Sequence, residues 1–288
     1  MPELPEVETV RRGLSERIVG KQVRVVERDF AKSFPNDPQE VSAFLIGAEI
    51  TAVRRRAKVL MIDLSSGYSL VIHLKMTGQL VYDGSERFGA GHPSDSLVQK
   101  LPDKSTRVII EFTDDSKLFF NDQRKFGWMK LMPTAAIAEL TFMRLVGPEP
   151  LEDSFSSAHF ASRLNKHPKA NIKATLLNQT VVAGIGNIYA DESLWGAQVH
   201  PARKTGSLTV DEVEKLYQEV RAVMNLSIEK GGSSNQNYVN AEGKKGSYME
   251  FARVFRKNGL PCPRCGATIE KLRVAGRGTH ICRVCQVY

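Results

Sequence analysis

The residues best placed to do chemistry stand at the very start of the chain. Loss of Met1 would leave Pro2 at the terminus, a secondary amine with carboxylates at Glu3 and Glu6, one and four residues away. An α-amino group titrates near about 7.7–8.0, so a sizeable fraction is uncharged at neutral pH, whereas lysine starts near about 10.4. Lysine reaches the same state only by desolvation or beside another cation. A proline nitrogen that condenses with an aldehyde gives a charged iminium, an electron sink around which Glu3 and Glu6 can move protons. With Met1 attached, that nitrogen is a tertiary amide with no usable lone pair, so Met1 must leave before Pro2 can act. Pro2 and Pro5 also admit a structural reading, because proline is favoured near helix starts.

A second set of chemical groups closes the chain. All four cysteines fall there, as Cys262-Pro-Arg-Cys265 and Cys282-Arg-Val-Cys285. This C-x2-C-x16-C-x2-C spacing is that of a four-thiolate zinc site, with Pro263 and Gly266 suited to tight ligand-bearing turns. Two disulfides or free thiols are the competing reading, which a cytosolic chain of this size disfavours. His280 could replace one thiolate, but four cysteines already complete the shell. Such a closed site leaves no open coordination position, so one structural Zn2+ is expected and the reaction must lie elsewhere.

The elements that must position these groups follow from length and pattern. At 288 residues there is room for two domains, and 40 Lys+Arg against 32 Asp+Glu give a net charge of +8 that favours a polyanionic partner. No apolar run is long enough to span a bilayer, and an acidic start is unlike a signal peptide, so a cytoplasmic location is expected. Leu4, Val7, Val10, Leu14 and Ile18 recur at helical spacing between Glu3 and Ile18, with Gly20 as a stop. Short β-rich runs follow at Gln22–Glu27, Glu49–Arg54, Val59–Leu64, Ser69–Leu74, Arg107–Phe112, Lys117–Phe120 and Trp128–Leu131. They predict an antiparallel sandwich or barrel-like sheet pair, with Tyr82–Lys104 as a long loop. Helices are predicted over Thr134–Arg144, Ser156–Leu164, Asn171–Leu177, Tyr189–Trp195 and Val210–Lys230, and Gly231–Lys245 reads as a mobile loop. The expected fold is therefore α+β with two domains. An N-terminal helix and antiparallel β-sandwich (1–132) lead through a linker region (133–152) to a helical helix–two-turn–helix part (153–250) and a zinc-ribbon β-hairpin (251–288).

Seven collinear motifs cover essentially the whole chain: PELPEVET at 2–9, Arg54-Arg55-Arg56-Ala57-Lys58, His73-Leu74-Lys75-Met76-Thr77-Gly78, Asp122-Gln123-Arg124-Lys125-Phe126-Gly127, Val182 to Ala190, Gly231-Gly232-Ser233-Ser234 and the cysteine ribbon. In these the chain resembles the formamidopyrimidine-DNA glycosylase family. The resemblance implies a bifunctional DNA glycosylase and AP lyase that excises oxidised purines, such as 8-oxoguanine and formamidopyrimidines, from double-stranded DNA. It implies Pro2 as the nucleophile at C1′, Glu3 as acid–base residue, Glu6 as supporting carboxylate and Lys58 as a phosphate contact assisting β,δ-elimination. Met76, Arg124 and Phe126 match residues that fill the space left by an everted nucleotide, a task suited to apolar wedges and a hydrogen-bonding arginine. Asn187, where a helix N-terminus attracts phosphate, and Arg277, at a hairpin tip, match phosphate contacts.

Set against these roles are blander readings: a solvated Lys58, core positions for Met76 and Phe126, an N-cap for Asn187 and a solvated Arg277. Three departures from the family pattern stand out: Arg124-Lys125 in place of Arg-Arg, Asn235-Gln236-Asn237-Tyr238 in place of Leu-Arg-Asp-Tyr, and Val254-Phe255-Arg256-Lys257 in place of Val-Tyr-Gly-Arg. The alternatives are an endonuclease VIII-like glycosylase for oxidised pyrimidines and a DNA-binding protein that has lost catalysis. Leu4, where that sister branch usually has Gly, argues against the first. Pro2, Glu3, Glu6 and Lys58 together argue against the second. One lesion recognised per chain makes a monomer the simpler expectation.

Overall fold

The apolar residues predicted to line one face of the first helix are all buried, and that helix organises the first half of the molecule. The computed structural model describes residues 2–233 and 248–288. It divides into two compact units, the first holding 2–144 with 230–233 and the second 145–229 with 248–288.

In the first unit, helix α1 (Leu4–Ile18) buries Leu4, Val7, Val10, Leu14 and Ile18. Two antiparallel sheets follow. The five-stranded one has the order β1-β7-β8-β5-β6, from Val23–Arg28, Thr106–Phe112, Lys117–Asp122, Gly78–Asp83 and Arg87–Gly91. The four-stranded one has the order β2-β3-β4-β9, from Ile50–Arg56, Val59–Leu64, Tyr68–His73 and Trp128–Pro133. One continuous core joins α1 to residues of both sheets, including Leu60, Ile62 and Leu131 of one and Leu80, Phe112 and Phe120 of the other. Each such buried side chain contributes about 1.5–3 kcal/mol. The helix meets β6 so closely that a Cβ added at Gly13 would lie 2.0 Å from the Phe88 ring, so only glycine fits there.

All seven predicted strands are present, with ends that differ by no more than two residues. The expected loop Tyr82–Lys104 is a departure: β5 runs through Asp83 and β6 occupies Arg87–Gly91 within it. Gly89, Ala90 and Gly91 carry little β propensity of their own, and pairing with β5 is what extends them. Helix α2 (Pro38–Phe44), capped by Asp37, was likewise not anticipated. The predicted helix Thr134–Arg144 is a short 3-10 turn over Thr134–Glu139 followed by α3 (Thr141–Leu145). Leu140 is extended between them, which lets Ile137, Leu140, Phe142 and Met143 all pack on the outer face of the four-stranded sheet.

The second unit holds α4 (Ser157–Leu164), α5 (Ile172–Leu177), α6 (Asn187–Gly196), α7 (Val210–Glu229) and α8 (Tyr248–Phe251), then the hairpin β10 (Glu270–Val274) and β11 (Arg277–Ile281). Helices α5 and α6, joined by the glycine turn around Gly184 and Gly186, are the expected helix–turn–helix pair. No helix of the described residues is long and apolar enough to cross a membrane. The Gly231–Lys245 loop, including Asn235 to Tyr238, lies outside the described residues from 234 onward.

Candidate functional site

Pro2 is buried and leads directly into Glu3, the N-cap of α1. Glu3 and Glu6 form a reciprocal capping box, in which the Glu3 backbone N–H donates to Glu6 Oε2 at 2.8 Å. Both carboxylates sit at the positive end of the helix dipole, which offsets part of the cost of burying them. Glu6 Oε1 also accepts the N–H of Ser233 at 2.9 Å. Gly232 makes that approach possible, since it holds a φ of +90° against the Glu6 side chain. The terminus is thus a built and rigid corner, and the helix-start reading of Pro5 holds alongside it.

Lys58 occupies the two-residue turn between β2 and β3, closed by the Arg56–Val59 pair, with Ala57 at a φ of +52°. At 8% exposure it is not a solvated surface lysine. The turn is tied to α1 through Arg55, which donates to Glu8 Oε2 at 3.0 Å and to the Ala57 carbonyl at 3.1 Å. Glu8 also gathers Arg11 and Arg12. Burial pushes its carboxyl up, but the three guanidinium groups win and hold it down to about 2. His73 is nearby in charge terms: burial, then the positive charges of Lys75 and Lys58, lower it to about 3. Its Nδ1 accepts the Lys75 N–H at 2.9 Å, so the imidazole is neutral with its proton on Nε2.

Met76 and Phe126 are 40% and 53% exposed, which rules out core positions for both. Arg124 joins them, with Nη1 3.0 Å from Met76 Sδ and its guanidinium 4.8 Å from the Phe126 ring centroid. Two segments far apart in sequence therefore bring three side chains into one exposed apolar and cationic tip. Lys125, at a φ of +59°, turns away from it and places its ammonium over Phe30.

In the second unit the cap of α6 is Gly186, and Asn187 is its first helical residue. Asn187 Nδ2 donates to the Gly278 carbonyl at 2.9 Å, while its buried Oδ1 has no partner among the described residues. Arg277 is exposed as the first residue after the Ala275-Gly276 turn of the β10–β11 hairpin. That hairpin is anchored from inside by Lys173, which donates to Asp191 Oδ1 (2.6 Å), Thr279 Oγ1 (2.7 Å) and the Gly278 carbonyl (3.1 Å). Asp191 Oδ2 in turn accepts the His280 backbone N–H at 2.9 Å and lies 3.2 Å from His280 Nδ1, so His280 serves this network and not the cysteines.

The four cysteine Sγ atoms lie within 4.8 Å of one another, with Cys262–Cys285 at 3.9 Å and Cys265–Cys282 at 3.4 Å. A tetrahedron with Zn–S bonds of about 2.3 Å has S···S edges of about 3.8 Å, so the set fits one zinc. Burial pushes the Cys262 thiol up, but N–H groups of Arg264 and Cys265 and the Trp195 indole favour the thiolate and bring it down to about 6. The Trp195 Nε1–H points at Cys262 Sγ from 3.4 Å, and the Arg264 guanidinium stacks on the indole at 4.0 Å. Removing zinc with a chelator is therefore expected to red-shift Trp195 emission as one equivalent of metal appears in solution, and Trp195→Phe should abolish the metal-linked change. Less than about half an equivalent of zinc in gently purified protein would argue against a constitutive site.

Sequence reasoning did not anticipate roles for Glu8, Thr77, Asp122, Lys173 or Asp191. All are polar, and all but Lys173 fall within or next to a motif, but the partners that decide their roles lie on other elements, so spacing alone gives no signal.

The comparisons with known proteins agree with this layout. Residues 1–129 match a family described as "Formamidopyrimidine-DNA glycosylase N-terminal domain", residues 146–238 its "H2TH domain", and residues 259–287 a "Zinc finger found in FPG and IleRS". A Latilactobacillus sakei formamidopyrimidine-DNA glycosylase is 41% identical over 288 residues, covering 100% of this chain and 98% of the relative. A Streptococcus pneumoniae protein of the same name is 41% identical, covering 99% of each. Among solved structures, Lactococcus lactis Fpg in complex with an abasic site containing DNA superposes with a TM-score of 0.87 at 36% identity, covering 99% of both chains. A mutant of that protein bound to a Fapy-dG containing DNA gives a TM-score of 0.87 at 35% identity, with the same coverage.

Proposed function

The chain belongs to the formamidopyrimidine-DNA glycosylase family, and on that premise we propose that it excises oxidised purines from duplex DNA and then cleaves the strand as an AP lyase. The observation that carries this reading is the buried Glu3–Glu6 capping box directly behind Pro2, which sets two carboxylates beside the nitrogen that removal of Met1 turns into a terminal amine. Once Met1 is removed, the Pro2 nitrogen attacks C1′ of the damaged nucleotide. The C1′–base bond breaks, the base leaves with that electron pair and takes a proton, and opening of the sugar gives an iminium at C1′. Loss of a C2′ proton feeds electrons into the iminium and expels the 3′-phosphate. A second elimination expels the 5′-phosphate, and water then frees Pro2.

In this scheme Glu3 gives the departing base its proton, and Glu6 holds Glu3 and the Ser233 segment. Lys58, lodged in its turn and tied to α1 through Arg55 and Glu8, contacts phosphate. Met76, Arg124 and Phe126 enter the duplex at the vacated position, and Asn187 and Arg277 grip the backbone. The structural zinc that the four cysteines fit holds the ribbon bearing Arg277 and takes no part in the reaction. The division into catalytic (1–132), linker (133–152), helical (153–250) and zinc-finger (251–288) parts is our functional partition of the chain. A cytoplasmic, monomeric protein that meets DNA in the nucleoid completes the reading.

Single-turnover excision from duplexes carrying 8-oxoguanine opposite cytosine or thymine glycol tests it. The oxidised purine should be released faster by about tenfold or more, a margin of about 1.4 kcal/mol. Preference for thymine glycol would assign the chain to the endonuclease VIII-like branch. Tight binding without cleavage of either would make it a lapsed binder.

A further inference from the structure

Met76 sits in the β4–β5 connection and Arg124 and Phe126 in the β8–β9 connection. Both connections carry the chain from one sheet of the sandwich to the other, since β4 and β9 belong to the four-stranded sheet and β5 and β8 to the five-stranded one. They leave the sheets side by side, where Gly78 pairs with Asp122 and His73 pairs with Trp128. Two crossover loops are not held together by any strand ladder. Something else must fix their tips relative to each other.

The Asp122 side chain does this. It is fully buried at the end of β8, and its two oxygens collect donors from both loops. The Thr77 hydroxyl, next to Met76, donates to Oδ1. The Arg124 N–H is shared between Oδ1 (3.2 Å) and the Thr77 oxygen (3.1 Å). The Gly127 N–H, next to Phe126, donates to Oδ2 at 2.6 Å. Arg124 thus binds the carboxylate through its own backbone N–H, Phe126 through that of its neighbour Gly127, and Met76 through the side-chain hydroxyl of its neighbour Thr77. A lost acceptor would leave buried N–H groups unpaired. The contact of Arg124 with Met76 and Phe126 then follows from where the backbones are fixed.

We propose that Asp122, acting with the Thr77 hydroxyl, is a positioning residue for lesion recognition, locking two crossover loops into one preformed wedge of Met76, Arg124 and Phe126. This rests on the glycosylase reading above. The wedge is built before DNA arrives, so its ordering cost is met in folding and not in binding. Among the described residues, the side-chain hydrogen bonds of Asp122 and Thr77 all stay within the two crossover loops and the strand end between them, so their effect should be confined to substrates in which a base is displaced from a stack.

The test compares the Met1-processed wild type with Asp122→Asn, Thr77→Val and Thr77→Ser. Thr77→Val keeps the shape and removes the hydroxyl, whereas Thr77→Ser keeps the hydroxyl. One readout is the fluorescence rise of 2-aminopurine placed beside 8-oxoguanine in a duplex, which reports unstacking. Another is excision from that duplex, and a third is borohydride trapping on an abasic site in single-stranded DNA, where no stack has to be opened. Misplacing a binding group by about 1 Å costs up to about 10²-fold, so Thr77→Val and Asp122→Asn should lose about 10-fold or more in duplex excision and most of the fluorescence rise. Thr77→Ser should restore both, and single-stranded trapping should stay within about twofold for the Thr77 variants. If Thr77→Val keeps the fluorescence rise and duplex excision, or if single-stranded trapping falls in parallel, the positioning role is wrong. If wild type itself forms no trapped adduct, the glycosylase reading fails and this inference with it.

Discussion

Pro2→Gly in the Met1-processed protein is expected to lose nearly all of the borohydride-trapped complex with a duplex carrying 8-oxoguanine opposite cytosine. Glycine still offers an α-amine of ordinary basicity, so the loss would not come from pKa. It would come from geometry and from the nature of the adduct. The pyrrolidine ring locks the nitrogen about its N–Cα bond, and that nitrogen lies one residue from a capped and buried helix start. Glycine in that place is the most conformationally free residue, and attack at C1′ demands near-bonding distance and alignment. A secondary amine also passes straight to a charged iminium without having to gain a proton. A drop of about 10²-fold or more in trapping rate follows from the lost positioning. A protein that retains Met1 should fail completely, because its Pro2 nitrogen is an amide. Trapping of Pro2→Gly at the wild-type rate would show that the ring and the secondary amine are not needed, and trapping by a protein that retains Met1 would move the nucleophile to a lysine.

Glu3→Gln carries the second large effect, and its pattern separates the two halves of the reaction. Release of the base requires a proton at the departing group, and Glu3 is the acid one residue from the amine, 3% exposed and held in a capping box. Losing a positioned acid–base group costs about 10²–10⁴-fold, so excision of 8-oxoguanine should fall by that amount in single turnover. An abasic sugar presents an aldehyde with no base left to expel. Cleavage at a preformed abasic site should therefore decline much less. Glutamine keeps the size and a hydrogen-bonding oxygen, and Glu6 still accepts the N–H of residue 3, so the melting temperature should stay close to that of wild type. Equal losses on both substrates would show that Glu3 acts in a step common to both, such as activating the amine.

Much of this was legible in the chain. The 3.6-residue rhythm of Leu4, Val7, Val10, Leu14 and Ile18 specifies α1 because each of those side chains has one way to leave water. The cysteine spacing specifies the ribbon, because two short loops are enough to bring four thiols around a metal. The β5–β6 pair was harder to see. Its glycines and alanine have no preference for strand, and both faces of Val81 and its neighbours are covered, so no alternation marks them. The segment after Pro133 shows the reverse error. Its composition favours a helix, but a sheet face that needs Ile137, Leu140, Phe142 and Met143 together bends the backbone to suit.

The same division runs through the site. A terminal secondary amine beside Glu3 and Glu6 is a local fact, fixed by neighbours within one helical turn, and the sequence determines it alone. So do four thiols at metal-binding intervals. Sequence could nominate Lys58, Met76, Arg124 and Phe126 but could not say that the lysine is buried or that the other three touch. Those outcomes depend on which strand turns into which sheet, and on carboxylates that reach partners on other elements: Glu8 to Arg55 at 3.0 Å, and Asp122 to Gly127 at 2.6 Å. A hydrogen bond forms only within a few tenths of an ångström, and a spacing along the chain does not carry that distance. The tertiary structure decides it, by packing two sheets against one helix so that both crossovers come out beside a single buried aspartate.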